Sequence, residues 1–226
     1  MYELITANRN YSSWSLRPWV LMTALGIAFR DRIEPFTKPA NYDDFRRFSP
    51  TGQVPALLHE GRTIYDSLGI TLYLADRHDS VWPTAPDARA WAQCAVCEMH
   101  SGFSALRNDC TMNVGMRVTP KPMSDALKAD VARIRELFEE GLAKFGGPWL
   151  AGADFTAVDA FFAPVAFRIR TYGLDVGAGQ AWVDHILAHP AMLEWERQAL
   201  AESWREVGHE EELRACGAIA ADYRTA

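Results

Sequence analysis

The sequence predicts an α+β protein: a mixed segment of strands and helices over residues 1–80, then an all-helical bundle over residues 87–226, joined by a linker at 81–86. Three observations predict it. Up to about residue 78, short apolar runs bounded by turn residues alternate with helical patterns. After Pro86 the chain reads as helix interrupted by turns. The proline-rich run Trp82-Pro83-Thr84-Ala85-Pro86-Asp87 punctuates the change. The length of 226 residues accommodates two modest domains, at roughly 100–200 residues per domain.

In order, the first segment reads as a strand from Glu3 to Ala7, a helix from Leu16 to Leu25 with Ser15 as its N-cap, and an edge strand from Arg32 to Phe36. Pro55-Ala-Leu-Leu-His and Arg62-Thr-Ile-Tyr, separated by Glu60-Gly61, read as a hairpin, and a helix from Ser67 to about Arg77 closes the unit. The order β-α-β then β-β-α gives a sheet that starts parallel and finishes antiparallel under covering helices, the thioredoxin-like plan. In the second segment Leu127, Val131, Ile134, Phe138, Leu142 and Phe145 recur at helical spacing and stop at Gly146-Gly147-Pro148. Thr156-Ala-Val-Asp159 fits a capping box that opens an apolar, central helix.

Composition narrows the function. Hydrophobic residues at 49% and charged residues at 23% describe a chain able to bury a large core. The formal net charge of −6 and the absence of a basic run argue against nucleic acid as a partner. No stretch approaches the ~18 apolar residues of a membrane span, and the N-terminus lacks a signal pattern, so the expected compartment is the cytoplasm and no membrane is expected as partner. Cys94 and Cys97 form a C-x-x-C inside a helical pattern without the strand that a redox motif follows, and no second pair completes a zinc site. The cysteines read as structural, and no metal is expected.

The chemistry is concentrated in Ser12-Ser13-Trp14-Ser15 and two later stretches. In a thioredoxin-like domain the loop after the first strand is where a C-x-x-C would sit; here oxygen replaces both sulfurs. Ser12 and Ser13 are placed ahead of a helix N-terminus, where free N–H groups and the helix dipole favour an anion. Such hydroxyls can hold another molecule's thiolate, lowering its pKa from about 8.5 by hydrogen bonding to the charged form. Val54-Pro55 stands at the entry to a strand, where a cis proline makes a fixed bend and leaves Val54 open to an extended peptide. Tyr65-Asp66-Ser67 offers a carboxylate and a hydroxyl at a helix start, suited to an α-amino group and an α-carboxylate. Together they describe a pocket for a small thiol peptide.

Over nearly its whole length the sequence resembles the cytosolic glutathione transferase superfamily. The resemblance is carried by Ser12-Ser13-Trp14-Ser15-Leu16-Arg17, by Ser49-Pro50-Thr51-Gly52-Gln53-Val54-Pro55-Ala56-Leu57, by Tyr65-Asp66-Ser67, and by Trp149-Leu150-Ala151-Gly152-Ala153-Asp154-Phe155-Thr156-Ala157-Val158-Asp159-Ala160. It implies the glutathione transferase fold, with glutathione as co-substrate: Ser12 or Ser13 holding the thiolate, Val54 pairing with the cysteinyl backbone ahead of a cis Pro55, Asp66 and Ser67 taking the γ-glutamyl end, Gln53 reaching the peptide backbone and Lys38 the glycine carboxylate. Thr156 and Asp159 carry over as folding residues. It also implies a homodimer, because relatives bury an apolar surface between the first domain of one subunit and the second of the other.

The serine segment is most similar to the zeta class, whose members include maleylacetoacetate isomerases with S-S-C-S-x-R at this place; here Trp14 replaces the cysteine. Alignment of the pattern favours Ser12 as the catalytic hydroxyl, and helix geometry leaves Ser13 open. An electrophile pocket is expected between the domains, with Met99, Phe103, Arg107 and Met112 as candidates; Arg107, a charge among apolar neighbours, points to an anionic substrate. The expected function is a glutathione transferase acting on a small electrophile, a detoxification chemistry. The alternatives are a glutathione-dependent isomerase of the maleylacetoacetate type and a noncatalytic binding or regulatory member of the fold. A thiol reductase is disfavoured because residues 1–93 contain no cysteine.

Overall fold

The computed structural model describes residues 1–37 and 41–225. β1 (Tyr2–Thr6) leads into α1 (Ser13–Ala24) and β2 (Phe29–Ile33); after the short α2 (Tyr42–Phe45) come β3 (Ala56–His59), β4 (Arg62–Tyr65) and α3 (Ser67–Ala75). The sheet order is β2-β1-β3-β4, with β1 parallel to β2 and antiparallel to β3, and β3 antiparallel to β4. This is the mixed sheet expected of the thioredoxin-like plan. The β3–β4 turn carries Glu60 at φ 50° and Gly61 at φ 74°, the pair of positive φ values that a two-residue hairpin needs. β2 lies three residues earlier than Arg32–Phe36, because its register is set by pairing Phe29 with Tyr2.

α1 starts earlier than its sequence pattern indicates. Ser12 is the N-cap position and Ser13 the first helical residue, so Ser15 is inside the helix and Pro18 is an interior proline. Its missing N–H leaves the Trp14 carbonyl without its intrahelical partner. The helix is buried on every side, from Ser13 to Met22 apart from Trp14, since α3 covers one face while α7 (Ala157–Tyr172) and α9 (Pro190–Ala201) cover others.

The helical part contains α4 (Pro86–Ser101), α5 (Ser104–Asp109), α6 (Asp125–Phe145), α7, α8 (Gln180–Leu187), α9 and α10 (Val207–Cys216). α6 is capped by Ser124, whose Oγ accepts from Leu127 N–H at 3.1 Å, and it ends at Gly146 with φ 82°. α7 is buried almost throughout. Asp159 fixes its start by accepting hydrogen bonds from Thr156 N–H and Leu150 N–H, each at 3.0 Å, and from Trp182 Nε1–H at 2.9 Å.

Against the expectation of helix alone after Pro86, this part also holds an antiparallel ribbon of β5 (Met116–Pro120) and β6 (Gly217–Asp222). Its two strands are short and far apart in sequence, and a Cβ on Gly217 would stand 2.2 Å from the Thr119 carbonyl oxygen. Only glycine permits that approach.

A single cluster of buried apolar residues runs from Leu4 and Leu57 in the sheet through Trp19 of α1 to Phe161, Phe162 and Trp195. Among the described residues, no helix is long and apolar enough to cross a membrane. The four cysteines are free; Cys94 and Cys97 are exposed on α4, while burial pushes the Cys110 thiol up to about 12.

Candidate functional site

The turn between β1 and α1 is held in place by residues nearly two hundred positions away. Asn8, Arg9 and Asn10 are fully buried. The Arg9 guanidinium pairs with Asp31, donates to Gln198 Oε1 at 2.9 Å, and stacks over Trp195 at 4.3 Å. The Glu202 carboxylate, just past α9, accepts from the Arg9 and Asn10 amides, and Asn10 Nδ2 donates to Ala199 O at 2.6 Å. The serines that follow are therefore presented on a rigid support.

Ser12 donates to Ser15 Oγ at 2.7 Å, and Ser15 Oγ also accepts from the buried Ala7 N–H at 3.2 Å. Ser15 is thus a tether between strand and helix and not an N-cap. Among the described residues, Ser13 Oγ accepts only a long contact from Arg168 Nη2, at 3.5 Å, so its own proton is available. The Ser12 side chain makes no capping bond, and the first intrahelical bond runs from Leu16 N–H to Ser12 O at 3.1 Å. The amides of Trp14 and Ser15 precede that bond and have no intrahelical acceptor. Hydroxyl, open amides and helix dipole converge on one place that favours an anion.

Two neighbouring cavities surround this point. The larger, about 640 Å³, is lined by Gln53, Val54, Pro55, Asp66 and Ser67, and also by Tyr42, Gly52 and Glu206. The smaller, about 240 Å³, is lined by Ser12, Ser13, Arg107, Thr111, Met112 and Arg168. Trp14, Phe36, Val54 and His209 line both and form the partition between them. The Val54–Pro55 peptide is cis. Gly52, at φ +67°, brings the backbone so close to Tyr42 that a Cβ would lie 2.5 Å from the ring, so a side chain there would displace the cavity wall.

At the far end of the larger cavity Asp66 caps α3, its Oδ1 accepting from Leu68 N–H at 2.8 Å and Gly69 N–H at 3.2 Å, while Oδ2 faces His100 Nε2 at 3.2 Å. Ser67 is fully buried and receives Arg17 Nη1 at 3.3 Å.

Residues 11–77 match the family model for the glutathione S-transferase N-terminal domain, and residues 124–198 match that for the C-terminal domain. The chain belongs to the cytosolic glutathione transferase superfamily. Glutathione S-transferase GstA of Escherichia coli O157:H7 is 27% identical over 190 residues, covering 76% of this chain and 87% of that protein. A probable maleylacetoacetate isomerase of Caenorhabditis elegans is 22% identical over 170 residues, covering 74% of this chain and 78% of that one. Among solved structures, a Burkholderia glutathione transferase homolog with bound glutathione superimposes with a TM-score of 0.66 at 20% identity, over 88% of this chain and 97% of the other. Ure2p in complex with glutathione does so with a TM-score of 0.65 at 18% identity, over 85% and 96%. These structural likenesses establish the transferase fold.

Within that fold, Ser12, Ser13, Gln53, Val54, Pro55, Asp66, Ser67, Arg107 and Met112 all reach the paired cavities. Met99 and Phe103 do not. Met99 is wholly buried and Phe103 nearly so, both within the apolar cluster, because the face of α4 that carries Met99 packs against α7. Lys38 lies outside the described residues.

Sequence reasoning missed the C-terminal wall of these cavities. Glu206 caps α10 through Gly208 N–H at 3.0 Å and His209 N–H at 2.8 Å, and its carboxylate meets His209 Nδ1 at 2.7 Å. His209 stacks on Tyr11 at 4.9 Å and Phe36 at 5.0 Å. It missed Arg168 as well, since a lone arginine in an apolar helix carries no recognisable spacing.

Proposed function

We propose that this protein is a glutathione transferase that binds glutathione in the larger cavity and directs its thiolate at an electrophile in the smaller one. The observation that carries the reading is the junction itself. The helix N-terminus and the uncommitted Ser13 hydroxyl border the smaller cavity, where Val54 and Trp14 join it to the larger.

A thiol whose peptide pairs with Val54 and whose γ-glutamyl end meets Asp66 and Ser67 would have its sulfur at this junction. The Ser13 O–H and the amides of α1 stabilise the charged form, lowering the thiol's pKa and raising the fraction of nucleophile at neutral pH. Arg168 reinforces this as a cation on Ser13 Oγ. Ser13 is the donor in preference to Ser12, whose proton is engaged by Ser15. The protein contributes proximity and orientation in addition to thiolate stabilisation. The same thiolate could add to and leave a double bond, the isomerase alternative, which shares every feature of the site up to the electrophile.

Isothermal titration with glutathione tests binding. Ser67→Ala is expected to weaken it by about 1–3 kcal/mol, the cost of leaving a buried polar group without its partner, and unchanged affinity would remove the γ-glutamyl assignment. Thiolate absorbance followed against pH in the bound state tests activation: Ser13→Ala should move the titration toward that of free glutathione, and Ser12→Ala should move it less. Equal titrations in parent and both variants would transfer the role to the helix amides.

A further inference from the structure

Elsewhere in the molecule several buried or half-buried arginines have carboxylate partners: Arg9 pairs with Asp31, Arg170 with Glu196, and Arg224 with Glu210 and Asp222, while half-buried Arg117 donates to the Val114 and Met116 carbonyls. Around Trp14 the pattern breaks. Arg17 and Arg168 are 1% and 4% exposed, Arg107 is half-buried, and among the described residues none of them has a carboxylate within ion-pair distance. The Arg17 guanidinium lies 4.1 Å and that of Arg107 4.9 Å from the Trp14 ring. Their hydrogen-bond partners are neutral, and the charges of Asp66 and Asp130 reach Arg17 and Arg107 only from beyond ion-pair distance. Arg107 donates to the Gly102 and Met99 carbonyls, and Arg168 to the Cys110 carbonyl at 2.9 Å, to the Pro164 carbonyl and to Ser13. Among the described residues, no acceptor meets the buried N–H groups at Arg107 Nη1 and Arg17 Nε.

Burying a cation without a counter-charge is expensive, and neighbouring cations add repulsion. Burial, then Arg107, holds the Arg168 guanidinium down at about 10. A bound thiolate answers part of this excess. It does not answer all of it, because Arg107 and Arg168 both line the smaller cavity, beyond the partition from the peptide. The other titratable groups lining that cavity are Glu212, exposed on α10, His209, already paired with Glu206, and Tyr11, hydrogen-bonded to Glu210.

We propose that the smaller cavity selects electrophiles that carry a carboxylate, bound by Arg107 and Arg168, with the reacting carbon turned toward Ser13. The assignment rests on the glutathione transferase reading and adds its substrate class. Arg17, joined to Ser67, serves the peptide side. Arg107 is anchored by the carbonyls at the end of α4, which leaves Nη1 fixed toward an incoming anion; Met112 and Trp14 supply apolar contact for the rest of the molecule.

A chloronitrobenzoate and its methyl ester test this. In both, the thiolate attacks the ring carbon bearing chlorine, a C–S bond forms, and the C–Cl bond breaks with its electron pair leaving as chloride. Each kcat/KM is divided by the uncatalysed rate constant with glutathione, to remove the intrinsic reactivity of the two rings. The acid is expected to be favoured by about 10–100-fold, the worth of a charge-assisted hydrogen bond. Arg107→Gln and Arg168→Gln should each erase most of that ratio, and Arg107→Lys, which keeps the charge, should restore part of it. Calorimetry with the carboxylated conjugate and its methyl ester gives the same comparison without turnover. Glutathione binding with no preference for the acid in the parent, or a preference that survives both glutamine variants, would overturn this proposal alone. Failure to bind glutathione would overturn it together with the function on which it rests.

Discussion

Three serines within four positions have three different surroundings, set by what each oxygen can reach. Ser15, read from its spacing as a helix cap, is instead inside α1 and accepts from Ala7 N–H and Ser12. Replacing it with alanine leaves a buried amide without an acceptor, and Ser15→Ala is expected to cost about 1–3 kcal/mol of stability while leaving the titration of bound glutathione nearly unmoved. Chemical denaturation beside the thiolate titration measures both; a shifted thiol pKa at unchanged stability would reverse the roles of Ser13 and Ser15. Trp14 was legible as an unusual residue but not as a partition, since that role requires two cavities that no local pattern describes.

At the scale of elements, α10 completes the wall of the site, and one carboxylate ties it to the tail that follows β6. Glu210 receives Tyr11 O–H at 2.6 Å and both terminal nitrogens of Arg224. Burial alone would raise its pKa, but the hydrogen bonds from Arg224 and Tyr11 and the charge of Arg224 prevail, and the net shift is downward from 4.5. A carboxylate with a depressed folded-state pKa contributes stability that is present above its unfolded pKa and lost as pH falls through the folded value. Glu210→Gln should therefore lower the melting temperature at neutral pH, and the gap between variant and parent should begin to narrow below about pH 4.5 and close as the pH falls through the lower folded-state value, where the parent's own carboxyl becomes neutral. Melting curves across that range decide it; a gap independent of pH would mean that shape and not charge holds the tail. α6 was legible from its period and its Gly146 stop. The β5–β6 ribbon was not, because its pairing joins Val118 to Ile219 across about a hundred residues, and no short window contains both strands.

For the whole molecule, the sheet and the helices share one apolar cluster, so the cavities between them are bounded by a common packed interior and hold their shape together. Tyr65 and Leu72, 44% and 51% exposed on β4 and α3, are apolar residues left on the outside of the sheet half. They support the proposal that two copies associate, and sedimentation equilibrium at micromolar concentration should give a species of twice the 25.3 kDa chain. A single species at the chain mass would reject it.

What the sequence determined by itself is whatever depends on neighbours along the chain. The order of strands and helices follows from apolar period and turn residues, the Glu60-Gly61 hairpin from two short apolar runs meeting at a glycine that admits a positive φ, and the start of α7 from the Thr156–Asp159 spacing. The place of Val54, Asp66 and Ser67 on the larger cavity was legible for the same reason, each being attached to the beginning of a local element. Only the tertiary structure decided which serine has a free proton, that Met99 and Phe103 belong to the core, that His209 and Glu206 close the cavity, and that Arg17, Arg107 and Arg168 gather beside Ser13 and Trp14 with no carboxylate within ion-pair distance among the described residues. The physical reason is that these depend on burial and on partners brought from distant segments. Arg168 has no meaning on its helix until that helix is packed beside Ser13.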